Sequence, residues 1–380
     1  MALSPQSLAI PLQGPEADVR YMRIALSLAR RMLGATAPNP AVGALIVDET
    51  TGEIIARGWT EVGGRPHAET QAIQRAGARA RGKTMYVTLE PCSHHGKTPP
   101  CAEAIVAAGL GRIVCAIDDP DERVSGRGIA LLHAAGIDMT LSVCASEGRW
   151  VAAGHITRVQ AKRPLVTLKL AVSADERIAR GTGKPTWVTG PDARARAHLL
   201  RAQSDAILVG RQTVVDDDPE LNCRLPGLET RSPRRYVIDS KLALPPDCRV
   251  FREGPGGPAT VLARRDAQLP PHLSEARVRR VGLTPDGRLN LRQVLRAVAD
   301  DGITRLLIEG GPTTARAFLD AGFVDEVVVF KGTGVLGAEG MLPLETRGLA
   351  ELSDAGLWRI TDQRQVGTDS FTTYRSRRHD

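Results

Sequence analysis

No stretch of this chain restricts its fold more than Arg65 to Glu103, which holds RPHAETQAI and then YVTLEPCSHHGKTPPC. It offers an imidazole, His67, a carboxylate two residues later, Glu69, and two thiols, Cys92 and Cys101. Thiolate sulfur and imidazole nitrogen are donors that Zn2+ takes, usually four in tetrahedral array. A fold that brings His67, Cys92 and Cys101 to one point supplies three protein ligands and leaves a fourth position for water, the arrangement of a catalytic zinc. Glu69 then needs no bond to the metal and can carry a proton to and from that water. A closed structural zinc would require a fourth protein ligand, for which His94, His95 and His133 are candidates, and it would leave HAE unexplained.

The surrounding residues predict how the donors converge. TQAIQRAGA after His67 has helical spacing, with Ala72, Ile73 and Ala76 on one side. His67 and Glu69 therefore fall at a helix start, the end of the dipole that favours an anion. TMYVTLEP reads as a buried strand ending at Pro91, with Cys92 just past it. After two prolines, CAEAIVAAGL reads as a helix with Cys101 in its first turn, where a thiol ionises more easily. Two helix starts and one strand end would then share one point.

The chain has 380 residues, which suggests two domains, each large enough for its own core. The expected boundaries are 18–146 and 163–377, with a connecting helix and linker from about Ser146 to Lys162. Strand and helix signals alternate through both, which implies α/β layers with mostly parallel pairing in the later part. ADVRYMRIALSLARRML is an amphipathic helix with Tyr21, Ala25, Leu28 and Met32 near one stripe. Downstream, PDARARAHLLRAQS, LNLRQVLRAVADDG and PTTARAFLDAG read as helices among apolar strands such as AILVG and DEVVVFKG. LLIEGGPTTA joins a strand to a helix through Gly310, Gly311 and Pro312. Free backbone N–H groups there would cradle a phosphate, or the run is simply a tight turn. It is not G-x-G-x-x-G, so the common dinucleotide fingerprint is absent.

Composition narrows the partners. Aromatic residues make up 3% of the chain, too few for an extended stacking surface on single-stranded nucleic acid. The net charge of +7 suits anionic partners. With no dense basic run, a phosphorylated small molecule is expected rather than nucleic acid. Six cysteines in so long a chain do not make a disulfide scaffold. Cys115 and Cys144 are expected in strand-like core surroundings, and Cys223 and Cys248 in loops. MALSPQSLAIPLQGPEAD lacks a signal-peptide pattern and no apolar run reaches membrane length, so a cytoplasmic protein with no membrane partner is expected. A homo-oligomer is left open.

H-x-E followed by P-C and a further C is the signature of zinc nucleobase deaminases. Eight residues, SHHGKTPP, separate Cys92 from Cys101, which removes the short-loop members as the nearest match. HAE with PCSHHGKTPPC resembles the deaminase half of the bifunctional riboflavin-biosynthesis deaminase/reductases, and APNPAVGALIV around Asn39 fits the same family. Downstream, KLAVSAD, WVT, LLRAQSDAI, TVVDDDPELNCR, VIDS and IEGGPT follow the order of its reductase half. The resemblance covers nearly all of residues 20–376. It implies an α/β protein with an N-terminal cytidine-deaminase-like domain and a C-terminal dihydrofolate-reductase-like domain. The implied cofactors are Zn2+ and NADPH, and the implied substrate is a phosphorylated pyrimidine.

The resemblance also implies roles residue by residue. His67, Cys92 and Cys101 would hold the metal, Glu69 would move protons and Asn39 would meet the substrate base. Ala171, Trp187, Thr213, Asp217, Ser240 and the helix start Gly311, Pro312, Thr313, Thr314, Ala315, Arg316 and Ala317 would line the NADPH site. Lys169, Pro185, Arg201, Leu221, Arg224 and Glu309 would line the substrate site. Arg201 and Arg224 can fork onto a ribose phosphate, and Glu309 can accept from sugar hydroxyls or the base. The family generally has a polar residue at Pro185 and a glycine at Glu176, so the turn near Asp175 is expected to differ in shape. The competing reading is a nucleic-acid-editing zinc deaminase with an accessory domain. The eight-residue gap, the few aromatics and the complete second half argue against it.

Overall fold

A computed structural model describes residues 12–95, 99–121, 125–178 and 187–379. The chain forms two compact units that divide between Ala161 and Lys162. The first contains α1 (Pro15–Arg31), β1 (Gly43–Asp48), β2 (Glu53–Trp59), α2 (Ala68–Ala76), β3 (Thr84–Val87), α3 (Cys101–Ala108), β4 (Arg112–Cys115), α4 (Arg127–Ala134), β5 (Asp138–Thr140), α5 (Ala145–Val151) and α6 (Ala153–Ala161). Its sheet runs β2-β1-β3-β4-β5. β1 is antiparallel to β2 and β3, whereas β3, β4 and β5 are parallel.

Every residue of β3, TMYV, is buried, which is why its sequence shows an unbroken run rather than alternation. Tyr21, Ala25 and Leu28 of α1 join the same core as Leu45, Tyr86 and Ile113. The helix α2 lies so close to β2 that a Cβ on Gly58 would stand 2.0 Å from the Ala68 carbonyl oxygen. Only glycine permits that approach, and it sets where α2 begins.

The second unit contains β6 (Leu165–Val172), α7 (Pro191–Ala202), β7 (Ala206–Gly210), α8 (Arg211–Asp217), β8 (Arg234–Ile238), β9 (Thr260–Arg264), β10 (Val278–Val281), α9 (Leu291–Asp300), β11 (Arg305–Glu309), α10 (Pro312–Asp320), β12 (Glu326–Lys331), β13 (Trp358–Val366) and β14 (Asp369–Ser376). Its nine strands run β10-β9-β8-β7-β11-β6-β12-β14-β13. All are parallel from β10 to β12, and β14 and β13 close the sheet antiparallel. The order inserts β11 between β7 and β6, so Glu309 lies in register beside Lys169. In an open parallel sheet the crevice beyond the carboxyl ends of such strands is where ligands bind.

Three local features differ from the sequence expectation. α8 forms over RQTVVDD with only Val214 buried, so it has no apolar stripe to announce it. β13 is a polar edge strand held by β14 alone, and its pattern shows no buried face. Cys144 is not in a strand: it precedes α5 with φ +57° and is half-buried. Cys223 and Cys248 lie outside helices and strands, as expected, and both are buried, at 2% and 8% exposure.

The turn after β6 bears on the departure at Glu176. Ser173 Oγ donates to Asp175 Oδ1 at 2.6 Å, and Asp175 also accepts from the Leu336 and Gly337 amides. Glu176 sits at φ +57°, the left-handed conformation glycine favours, so the side chain is carried at a cost of about 1 kcal/mol. Its exposed ion pair with Lys331, 3.1 Å, offsets little of that. Glu176→Gly is expected to stabilise this unit by about 0.5–1 kcal/mol in urea unfolding; a loss of stability would show that the ion pair outweighs the strain.

Candidate active sites

His67 is the residue before α2, and Cys101 opens α3. Cys92 lies beyond the end of β3, outside any helix or strand. His67 Nδ1 is 3.3 Å from Cys101 Sγ and 3.7 Å from Cys92 Sγ. The Cys101 N–H donates to Cys92 Sγ at 3.4 Å, and the Ala102 N–H donates to the Cys92 carbonyl at 3.1 Å. The three donor atoms lie within 4.8 Å of one another. Tetrahedral zinc with ordinary Zn–N and Zn–S bonds needs donors roughly 3.5–3.8 Å apart, so the residues present fit the ion. His94, His95 and His133 stay outside this group; His95 instead meets Glu103 at 3.0 Å in an exposed pair. Among the described residues no other cluster of this kind occurs.

The hydrogen bond with Cys101, with His67 beside it, pulls the Cys92 thiol down to about 4. Cys101 is pushed up by that same contact with Cys92 and by burial, which together outweigh the helix start. The bond to Cys92 raises His67. Glu69 is 4% exposed, and burial raises its carboxyl despite the opposing pull of His67. Asn39 Nδ2 donates to the Gly64 carbonyl at 2.9 Å, tying the loop before β1 to the segment that leads into His67.

Glu90, which sequence reasoning passed over, holds this arrangement. Its buried carboxylate accepts backbone N–H bonds from Asp119 (3.2 Å), Gly126 (3.1 Å), Gly128 (3.0 Å) and Ile129 (3.3 Å). They bind the segment just before Cys92 to the start of α4. The signal was a lone carboxylate in an apolar strand end, since a buried charge has to be matched by donors.

In the second unit the strand ends gather a charged group. Glu309, at the end of β11, receives Arg201 Nε at 2.7 Å and Arg201 Nη2 at 2.9 Å, and Lys169 Nζ lies 3.8 Å from its Oε2. Burial alone would raise the Glu309 carboxyl; Arg201 and Lys169 more than reverse this and hold it at about 2. The Arg201 fork is therefore engaged by Glu309 rather than free for a phosphate, and its Nη1 goes to the Asn222 carbonyl at 2.9 Å. Arg224 is exposed, with Nη1 3.0 Å from Asn222 Oδ1. Leu221 is buried with φ +54°. His198, also passed over, stands one turn before Arg201 on α7 and accepts the Arg224 N–H at 3.2 Å.

A second group surrounds the start of α10. Gly310 and Gly311 have φ +91° and +69°. A Cβ on either would come within 3.2 Å of Thr213, so Thr213 of α8 packs directly on this turn. Ala315 and Arg316 turn inward, at 1% and 9% exposure, with Arg316 engaged by Asp320 and Glu351. Thr313 is exposed, its Oγ1 3.1 Å from Glu345 Oε1. Asp217 ends α8, its carboxyl raised by burial and by Asp216. Ala171 stands on β6 opposite Phe330, and Ser240 follows β8. Trp187 is 65% exposed, stacked under Arg194 at 4.7 Å, not in the core. Pro185 lies outside the described residues.

A His/Cys/Cys metal cluster on a five-stranded sheet, followed by a largely parallel sheet with a charged crevice, defines a zinc deaminase joined to a reductase. Residues 15–117 match the cytidine and deoxycytidylate deaminase zinc-binding region, and residues 164–366 match the RibD C-terminal domain. The chain belongs to the RibD family of bifunctional riboflavin-biosynthesis enzymes. It is 40% identical to riboflavin biosynthesis protein RibD of Aquifex aeolicus over 85% of this chain and 88% of that one. With RibD of Escherichia coli it shares 39% identity over 93% and 97% of the two chains. RibD of Acinetobacter baumannii superposes with a TM-score of 0.83 at 32% identity, covering 96% of this chain and 99% of that one. The diaminohydroxyphosphoribosylaminopyrimidine deaminase/5-amino-6-(5-phosphoribosylamino)uracil reductase of Thermotoga maritima superposes with a TM-score of 0.81 at 33% identity, covering 95% and 99%. Family membership decides against the nucleic-acid-editing reading.

Proposed function

We propose that the chain deaminates 2,5-diamino-6-(5-phosphoribosylamino)pyrimidin-4-one at its first site and reduces the ribosyl chain of the product to ribityl at its second. The observation that carries the reading is the approach of His67, Cys92 and Cys101 to within 4.8 Å, with buried Glu69 acting on the same group. His67, Cys92 and Cys101 hold zinc, which when bound supplies the Lewis acidity that makes water a nucleophile near neutral pH. Glu69 takes one proton from the water as the C–O bond forms and passes it to the ring, then takes the second from the new hydroxyl and gives it to the departing ammonia as the C–N bond breaks. Burial suits it to the task by bringing its carboxyl closer to neutral pH. Asn39 meets the base edge.

At the second site NADPH, when bound, supplies hydride. The amides at the start of α10, with Thr213, Asp217, Ser240, Ala171 and Trp187, seat it. Arg224 takes the substrate phosphate, and Lys169, Leu221 and the Arg201–Glu309 pair shape the crevice around the sugar. Such a clamp far from the reacting carbon fixes the geometry of transfer. We assign the two activities to about 18–146 and 163–377. All six cysteines are unpaired, which suits a cytoplasmic enzyme. No described helix is long and apolar enough to cross a membrane. A homo-oligomer is compatible with this reading.

A coupled assay tests it. Ammonia should appear from the pyrimidine phosphate without NADPH, and NADPH should be oxidised only after that step. Ammonia from an RNA oligomer instead would overturn the substrate assignment. Cys101→Ser should purify without zinc, measured by metal analysis, because hard oxygen replaces soft sulfur in a three-ligand site. Full zinc content in that variant would remove Cys101 from the ligand set.

A further inference from the structure

We infer that His198 is a positioning residue of the reduction step: it fixes the backbone of Arg224 so that the guanidinium is presented to the substrate phosphate. This rests on the reading of Arg224 as the phosphate ligand. The segment from Asp218 to Arg224, after α8, belongs to no helix or strand. It holds two non-glycine residues in the left-handed region, Asp218 at φ +39° and Leu221 at φ +54°. Backbone of that kind persists only where its surroundings over-determine it.

Asp218 and Glu220 are held by the Arg249 N–H and by Arg235 Nη1, and the ties at the Arg224 end come from one face of α7. Arg201 Nη1 donates to the Asn222 carbonyl at 2.9 Å, the Cys223 thiol donates to the His198 carbonyl at 3.4 Å, and the Arg224 N–H donates to His198 Nδ1 at 3.2 Å. From the other side the Cys223 N–H reaches Ser232 Oγ at 2.9 Å. Arg201 is itself anchored by its fork on Glu309, so this end of α7 is tied to β11. The Arg224 side chain is exposed, and the groups it meets, Asn222 Oδ1 at 3.0 Å and Glu220 Oε2 at 3.5 Å, belong to its own segment. What aims it is therefore its backbone.

Histidine suits this task here. Burial, with Arg201 and Arg224 alongside, holds its ring down at about 4. The imidazole is neutral at physiological pH, its Nδ1 lone pair accepts the amide, and the proton resides on Nε2.

The test is steady-state reduction of 5-amino-6-(5-phosphoribosylamino)uracil by the full chain at saturating NADPH. His198→Ala should raise KM about fivefold, the scale of one neutral hydrogen bond, with kcat within about twofold. His198→Asn, whose Oδ1 can accept the same N–H, should recover most of the loss. NADPH affinity and ammonia release should be unchanged in both. Arg224→Ala, which removes the charge itself, should raise KM roughly 10- to 100-fold. If Arg224→Ala raises KM and His198→Ala does not, the inference fails while the Arg224 reading stands. If Arg224→Ala has no effect, both fail, and the fault lies with Arg224. A drop in kcat alone, or His198→Asn no better than His198→Ala, also overturns it. Should His198→Ala lose NADPH binding, His198→Asn decides: a KM within about twofold of the parent supports the inference and a larger rise rejects it.

Discussion

Glu69→Gln is expected to lower ammonia release about a thousandfold, within the range of a well-placed acid–base group, while the protein keeps its zinc. The amide has the shape of the acid but cannot accept and return a proton. Glu69 is 4% exposed and its carboxyl is already raised by burial, so the neutral replacement adds no desolvation cost and the fold should hold. Metal analysis and reductase rate are the controls. Deamination at the parental rate, with zinc in place, would remove Glu69 from the mechanism. Loss of zinc along with activity would show instead that it supports the metal.

Glu309→Ala is expected to destabilise the second unit by about 3–5 kcal/mol, because it leaves the Arg201 charge buried without its partner. For a unit of this size that lowers its melting temperature on the order of 10 °C. Reduction should be lost and ammonia release retained. A companion change, Arg201→Met with Glu309→Leu, should recover much of the stability without the activity, since well-packed apolar groups often replace a buried pair at little cost. The pair also sets an acid limit. The folded Glu309 carboxyl lies at about 2, below the usual 4.5, so its contribution is fully present above about pH 4.5 and is lost as pH falls through 2. Acid titration of the parent against the double variant reads this directly: identical acid unfolding in the two would sink the assignment.

Much of the fold was legible because its signals are local. The α1 stripe, the buried run TMYV, the Pro at the start of α7 and the Gly-Gly-Pro entry to α10 each reflect the geometry of a single element. α8 and β13 were not legible, because one has a single buried residue and the other is a polar edge. The metal donors were legible for a chemical reason: imidazole and thiols at element ends have few other uses together. Trp187, expected at the NADPH site, lies exposed under Arg194.

By itself the sequence determined the class of chemistry, through HAE, PC and C at the starts and ends of elements, and most of the order of strands and helices along each unit. Only the tertiary structure decided which charge meets which. Arg201 and Glu309 are 108 positions apart, and they pair because the sheet order sets β11 beside β6 and α7 over the strand ends. The four amides on Glu90 and the His198 bond to Arg224 arise in the same way. A buried polar group must be satisfied by whatever the fold brings near, and nothing in the neighbouring residues records what that will be.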